Sequence, residues 1–226
     1  EDVTQRNKLI SRNLVQKRHA EQRWLQSLRL LSLTIAEQRA DSDAASTPLT
    51  TETRTALEAL TRILHRDELT ESTMVGAQIL GDIWSLLGDD AYAFNSYQLA
   101  AGGARDRLVD DPGNMDTVRV LFQSQRRLGE IDLEAGRIDA ADRQLKAALN
   151  TCQELTSQSI SIPSEVIATM LGRLAETAEL RGDFRSAVEY YDKALQQLTS
   201  IDDSAAQSNS FRVDTSVVAL RFAVLL

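Results

Sequence analysis

The chain has 226 residues, of which 42% are hydrophobic, 10 are glycine and only 3 are proline. So few turn formers argue against an all-β protein, while the apolar content is enough to build a buried core. One cysteine and two histidines exclude a disulfide framework and a cysteine-based zinc cluster. The composition therefore predicts an all-α protein with little equipment for catalysis.

The net charge of −8 is unevenly spread, because residues 1–40 carry +4 and the remainder carries −12. An acidic body disfavours binding to a nucleic-acid backbone, which needs a clustered positive surface. The basic stretch has two interpretations, a solvated helix face or a segment close to an anionic membrane or a nucleic acid. Its cations are Arg6, Lys8, Arg12, Lys17, Arg18, Arg23 and Arg29.

Residues 1–40 are predicted to form one long helix, since no glycine or proline occurs between positions 3 and 39. One face of this helix is apolar at three- and four-residue steps, through Trp24, Leu25, Leu28, Leu31 and Ile35. Leu30 and Leu33 widen that stripe, so the helix is expected to be contacted on two sides.

Residues 41–72 are predicted to be a loop and one additional helix that packs on the rest of the protein. The loop is indicated by the polar, proline-containing stretch 41–50, and Thr50 or Thr51 is the expected N-cap. The predicted buried stripe of the helix is Leu57, Leu60, Ile63 and Leu64.

From residue 73 onward the chain repeats a helix–turn–helix pattern three times. Each unit has a small residue in its first helix and a turn glycine, followed by alanine, a large residue and alanine in its second helix. The turn glycines Gly88, Gly136 and Gly182 are 48 and 46 residues apart, and each is expected in the left-handed conformation. The small residues are Gly81, Gly129 and Ala175, and the large residues, expected to wedge between units, are Tyr97, Leu145 and Tyr191.

The residue after each turn glycine is expected to cap the second helix. Asp89 and Asp183 are good capping residues, whereas Arg137 departs from the pattern.

These motifs resemble the tetratricopeptide repeat (TPR) family, in a long-helix variant similar to the repeats of kinesin light chains and bacterial signalling proteins. Trp84 fills the family's aromatic position, but Asp132 and Ala178 depart from it. The resemblance implies an α-solenoid of antiparallel helix pairs, preceded by the long N-terminal helix. It places the three hairpins at 73–112, 113–162 and 163–208. By the repeat interval, residues 209–226 are expected to be the first helix of a truncated fourth repeat, and a terminal capping helix is the alternative.

The resemblance also implies a partner-binding concave face lined by the first helix of each unit. The arginines of this face have a purely structural alternative, which is ion pairing with Glu130 and Glu176 one helical turn away. The candidate partner-binding residues are Gln78, Asp82, Gln123, Arg126, Arg127, Glu130, Arg173 and Glu176.

The expected function is that of a non-catalytic protein–protein interaction scaffold, with no catalytic residue, metal or cofactor. Its expected partner is a protein or peptide, another copy of the chain included, and no nucleic acid. The alternative is a regulatory or sensor region of a larger bacterial signalling protein, such as a membrane-anchored kinase. An enzyme and an RNA-binding repeat are weaker alternatives. A cytoplasmic location is favoured, while membrane proximity through segments outside this chain stays open.

Overall fold

The computed structural model describes residues 2–41, 51–64, 70–199 and 221–223, with the side chains of the first range described from 13 to 37. Every element in these ranges is helical, which confirms the all-α prediction. Residues 221–223 form a short helical stretch, and the rest of the predicted fourth-repeat helix lies outside the described residues. The eight longer helices are α1 (Asp2–Asp41), α2 (Thr51–Leu64), α3 (Glu71–Leu86), α4 (Asp90–Asp110), α5 (Met115–Glu134), α6 (Ile138–Ser157), α7 (Ser164–Leu180) and α8 (Phe184–Thr199).

The chain divides into two compact units, Glu1–Ala104 and Arg105–Leu226. The first contains α1, α2, α3 and most of α4. The second contains α5, α6, α7, α8 and the short helical stretch 221–223.

The turns inside the three helix pairs are alike, as the repeat predicts. Gly88, Gly136 and Gly182 have φ angles of 75°, 71° and 76°. A residue with a Cβ pays a steric penalty in this left-handed region, which is why glycine closes each first helix. The side chain of Asp89 caps α4 through the amide of Tyr92, and that of Asp183 caps α8 through the amide of Ser186.

Close contact within each pair explains the small residues of the first helices. A Cβ built on Gly81 would lie 2.6 Å from the ring of Tyr97, and one built on Gly129 would lie 3.0 Å from Leu145. Tyr97 and Leu145 are fully buried. Each packs onto the glycine of its own helix pair.

In the first unit, α1 packs against α3 along the predicted stripe. Leu28 and Ile35 are buried, and the ring of Trp24 lies against Gly76. The expectation that α1 is contacted on two sides is wrong, because Leu30 and Leu33 are both exposed. The packing against α3 covers one face of the helix only.

The burial pattern of α2 follows a hydrogen bond that the apolar pattern does not reveal. Leu57 and Leu64 are buried as predicted, but Leu60 is only half-buried and Ile63 is 52% exposed. Thr61 is buried in their place, since its hydroxyl accepts the indole N–H of Trp84 at 3.1 Å. Capping by Thr51 is also wrong, because Thr51 is already helical, and Thr50 lies outside the described residues.

The second unit is built from two helix pairs in contact. α5 pairs with α6 and α7 pairs with α8, while α7 also packs against both α5 and α6. Ala141, Ala148, Ala187 and Ala194 are fully buried and allow the helices of each pair to approach closely. The first helices α5 and α7 are therefore neighbours, and this contact brings together the charged side chains described next.

Candidate functional site

The eight candidate residues are divided between the two units. Gln78 and Asp82 are half-buried on α3 of the first unit. Asp82 accepts a hydrogen bond of 2.7 Å from the hydroxyl of Tyr97. This bond fixes the buried Tyr97 ring over Gly81, so Asp82 has a structural role inside its own helix pair.

The other six candidates lie on α5 and α7 of the second unit, and five of them form one ion-pair network. Glu130 is its centre, since this carboxylate receives Arg126 at 2.7 Å and Arg127 at 3.2 Å from its own helix. Arg173 reaches Glu130 from α7, also at 2.7 Å, and pairs with Glu176 at 2.8 Å. The structure thus joins Arg126, Arg127, Glu130, Arg173 and Glu176, while Gln123 is an exposed neighbour on α5.

The network continues through a residue that the sequence reasoning missed. Arg221, in the short helical stretch 221–223, lies 3.5 Å from Glu176 and 3.4 Å from Glu179. We call these five arginine and glutamate positions, together with Glu179 and Arg221, the charged ladder. It runs over α5, α7 and the short helical stretch 221–223 of the second unit.

The repeat spacing could have found Arg221. Arg127 and Arg173 each precede the turn glycine of their unit by nine residues, and Glu130 and Glu176 each precede it by six. Arg221 follows Arg173 by 48 residues, which equals the longer repeat interval. An arginine and a glutamate therefore recur in register, and both Arg173 and Arg221 pair with an acid of the preceding first helix.

The electrostatics of the ladder are set by partial burial. Glu130 is only 13% exposed, whereas Arg127, Arg173 and Arg221 are each about two-fifths exposed. Burial opposes the charge on Arg173, but Glu130 and Glu176 outweigh it and raise the pKa of the guanidinium. The carboxylates thus lie beneath an arginine layer that water, or a partner, can reach.

The two residues of the second repeat that depart from the repeat pattern, Asp132 and Arg137, contact each other. Asp132 stands where Trp84 stands in the first repeat, and it is 2% exposed. Arg137 stands where Asp89 and Asp183 cap their helices, and its Nε donates to Asp132 at 2.8 Å. A buried carboxylate needs a charged partner, so the unusual Asp132 requires the unusual Arg137.

A comparable cluster surrounds Trp84 in the first unit. The ring of Tyr92 stacks on Trp84 with centroids 4.5 Å apart, and the guanidinium of Arg54 lies 5.5 Å from the centre of the Trp84 ring. Arg54 also pairs with Asp89, which attaches α2 to the turn between α3 and α4.

A cavity of about 460 Å³ opens between α6, α7 and α8. Its lining residues include Cys152, Leu171, Tyr190 and Lys193. Burial raises the pKa of the Cys152 thiol to about 12, so the thiol stays protonated and poorly nucleophilic at neutral pH. Cys152 is buried, as a cysteine with a packing role would be.

Two kinds of site do not occur in the part of the chain that the structure describes. No three side chains of histidine, cysteine, aspartate or glutamate are grouped so that they could hold a metal ion. Among the same residues, no helix combines the length and the apolar character needed to cross a bilayer.

In comparisons with known proteins, no family model and no curated protein matches the chain.

Proposed function

We infer that the protein is a non-catalytic protein–protein interaction scaffold of the TPR type, and that the charged ladder is part of its partner-binding face. The fold side of this proposal rests on three helix pairs with the same left-handed glycine turn. It also rests on the contact between α5 and α7, the first helices of two successive pairs. Stacking of first helices is what a concave solenoid face requires.

The main support for a binding role is the excess of arginines over glutamates in the ladder. It contains four arginines, Arg126, Arg127, Arg173 and Arg221, and three glutamates, in a chain whose net charge is −8. The glutamates are the more buried members. Exposed guanidinium groups bind carboxylates in a bidentate geometry, so the ladder favours an acidic peptide segment of a partner.

A selection from a displayed library of random peptides, with the whole chain immobilised, tests this proposal. We expect the enriched peptides to be rich in aspartate and glutamate, and to bind more weakly as the salt concentration rises. The variant Arg126→Gln with Arg127→Gln should weaken their binding by about thirtyfold, since two such contacts at about 1 kcal/mol each sum to about 2 kcal/mol. Glutamine is preferred to glutamate here because a reversed charge beside Glu130 would also disturb the fold.

The matched control is Arg119→Gln with Arg143→Gln, which removes the same charge from exposed positions on α5 and α6 outside the ladder. This control should leave peptide affinity within about twofold. An equal loss in both variants would reduce the effect to net charge, and enrichment of peptides without acidic residues would overturn the assignment of the face.

A further inference from the structure

Residues 13–20 of α1 differ in their surroundings from the part of the helix that begins at Glu21. From Glu21 onward the helix meets α3, where Ser72 donates a 3.1 Å hydrogen bond to Glu21 and Gly76 lies under Trp24. Residues 13–20, in contrast, are all exposed, and Leu14 and Val15 keep 55% and 53% of their surface in solvent. Residues 13–20 of this 40-residue helix therefore lie beyond the packing against α3.

Such a segment has little reason to be helical by itself. Helices in proteins gain most of their stability from tertiary packing, and isolated helices shorter than about 12–15 residues are marginal in water even when they are rich in alanine. Residues 2–20 contain one alanine and five cations. Packing of an apolar seam against another element is the usual source of the missing stability.

The sequence of the first half of α1 has the spacing of a coiled-coil seam. Val3, Asn7, Ile10 and Leu14 follow one another at steps of four, three and four residues. These steps place Val3 and Ile10 at d positions of a heptad, and Asn7 and Leu14 at a positions. The same register continues through Trp24, Leu28, Leu31 and Ile35, which form the stripe that meets α3, after an interruption at Lys17 and Glu21.

We propose that a second copy of this chain pairs with the first half of α1, in a parallel, two-stranded coiled coil centred on residues 3–14. An asparagine at an a position, here Asn7, favours two strands in one register, since its amide is satisfied by the same residue of the partner. The flanking charges also permit this pairing. Arg6 at g faces Ser11 at e, and Arg18 at e faces Asn13 at g, so neither pair opposes two cations.

A membrane surface is the competing partner for a basic helix, and the shape of the apolar stripe argues against it. At 100° per residue, Val3, Ile10 and Leu14 lie within about 40° of arc. Arg6 and Lys17 lie directly beside that arc on the same helix. A helix that lies in a membrane interface needs a broad apolar face, whereas a strict a/d stripe is the narrow seam of a coiled coil.

Sedimentation equilibrium of the whole chain, from about 5 to 500 µM, tests the pairing. We expect a reversible monomer–dimer equilibrium in the wild type, and at least a tenfold increase of its dissociation constant in Leu14→Glu. Val15→Glu is the matched control, because Val15 is adjacent and equally exposed but lies at a b position outside the seam. A wild type that stays monomeric at 500 µM, or equal effects of the two variants, would overturn the proposal.

Disulfide trapping tests the orientation. In a Cys152→Ser background, which removes the one native cysteine, Ile10→Cys should cross-link two chains on mild oxidation, since equivalent d positions face each other in a parallel dimer. Lys8→Cys, at an outward b position, should not. A dimer in which neither or both of these cysteines cross-link would refute the parallel register.

Flotation with vesicles containing about 30% phosphatidylserine separates the membrane alternative. The expected result is that wild type and Leu14→Glu both remain in the protein fraction at 150 mM salt. If the wild type sediments as a monomer and floats with the vesicles, the proposed dimer is refuted and a membrane surface is the partner of this segment. These experiments concern α1, so their outcome is independent of whether the charged ladder binds acidic peptides.

Discussion

Replacing Gly81 by alanine tests the close contact that defines a helix pair. The added Cβ would lie 2.6, 2.7 and 2.9 Å from three atoms of the Tyr97 ring. Comfortable contact between carbon atoms is about 3.5–4.0 Å, so the ring has to move by about 1 Å. The ring is fully buried, and its hydroxyl is held by Asp82 at 2.7 Å.

The expected magnitude is the balance of three effects. Overpacking a core usually costs about 1–3 kcal/mol. Alanine in place of glycine inside a helix stabilises the protein by about 1 kcal/mol. Weakening the hydrogen bond between Tyr97 and Asp82 destabilises it by about 1–2 kcal/mol. We therefore expect Gly81→Ala to lower the free energy of unfolding by about 1–4 kcal/mol.

Urea denaturation followed by tryptophan fluorescence is the suitable assay. Both tryptophans, Trp24 and Trp84, belong to the unit that contains Gly81, so the signal reports on that unit. A loss of about 2 kcal/mol with a slope of about 2 kcal/mol per molar urea would shift the midpoint by about 1 M.

Substitutions of two further glycines provide a comparison for the effect of Gly81→Ala on stability. A Cβ at Gly102 would meet nothing within 4 Å, so Gly102→Ala should raise stability by about 1 kcal/mol. Gly129→Ala should cost less than Gly81→Ala, because its neighbour Leu145 lies at 3.0–3.4 Å and is more flexible; this variant is followed by circular dichroism.

The double variant Gly81→Ala with Tyr97→Leu checks the cause. The second repeat pairs Gly129 with a leucine, so a leucine at position 97 should leave room for the new methyl group. We expect the cost of Gly81→Ala to fall by at least half in this background. An unchanged cost, or a Gly81→Ala variant as stable as the wild type, would refute the reasoning.

Three other predictions concern the second unit. Ser159 has a φ of 65°, so Ser159→Gly should relieve left-handed strain and raise stability by about 1 kcal/mol in thermal unfolding. Glu130→Gln should cost about 1–3 kcal/mol in the same assay, since it weakens three arginine contacts to a largely buried carboxylate. Cys152, whose thiol pKa is raised from 9.0 to about 12, should react with a disulfide reagent at pH 8 only after unfolding. Because its folded pKa is the higher one, the thiol's contribution to stability is complete below pH 9 and is lost as the pH rises towards 12.

Controls for these variants come from neighbouring positions. Ser157→Gly removes a serine from the helical end of α6, and should destabilise where Ser159→Gly stabilises. Glu134→Gln alters an exposed carboxylate of α5 and should change stability by less than 0.5 kcal/mol or so. Rapid labelling of the native thiol, or equal costs for Glu130→Gln and Glu134→Gln, would contradict the burial on which both predictions rest.

The sequence by itself determined the features that arise from local physics. Periodic apolar residues predict the helices, and a glycine after a helix predicts the left-handed turn found at Gly88, Gly136 and Gly182. The capping roles of Asp89 and Asp183 follow from the same short range. Each of these depends on residues within about one helical turn, so the chain order alone contains the information.

The tertiary structure decided which polar groups are satisfied across helices. Thr61 rather than Ile63 is buried because the indole of Trp84, 23 residues away, needs an acceptor. Arg173 bridges to Glu130 of the preceding first helix, a contact that exists only because α5 and α7 are neighbours. Periodicity predicts which face of a helix is apolar, but a hydrogen bond or ion pair between helices depends on the position of both partners in space. The repeat spacing in the sequence places Arg127, Arg173 and Arg221 at equivalent positions, whereas their ion pairs between helices depend on the tertiary structure.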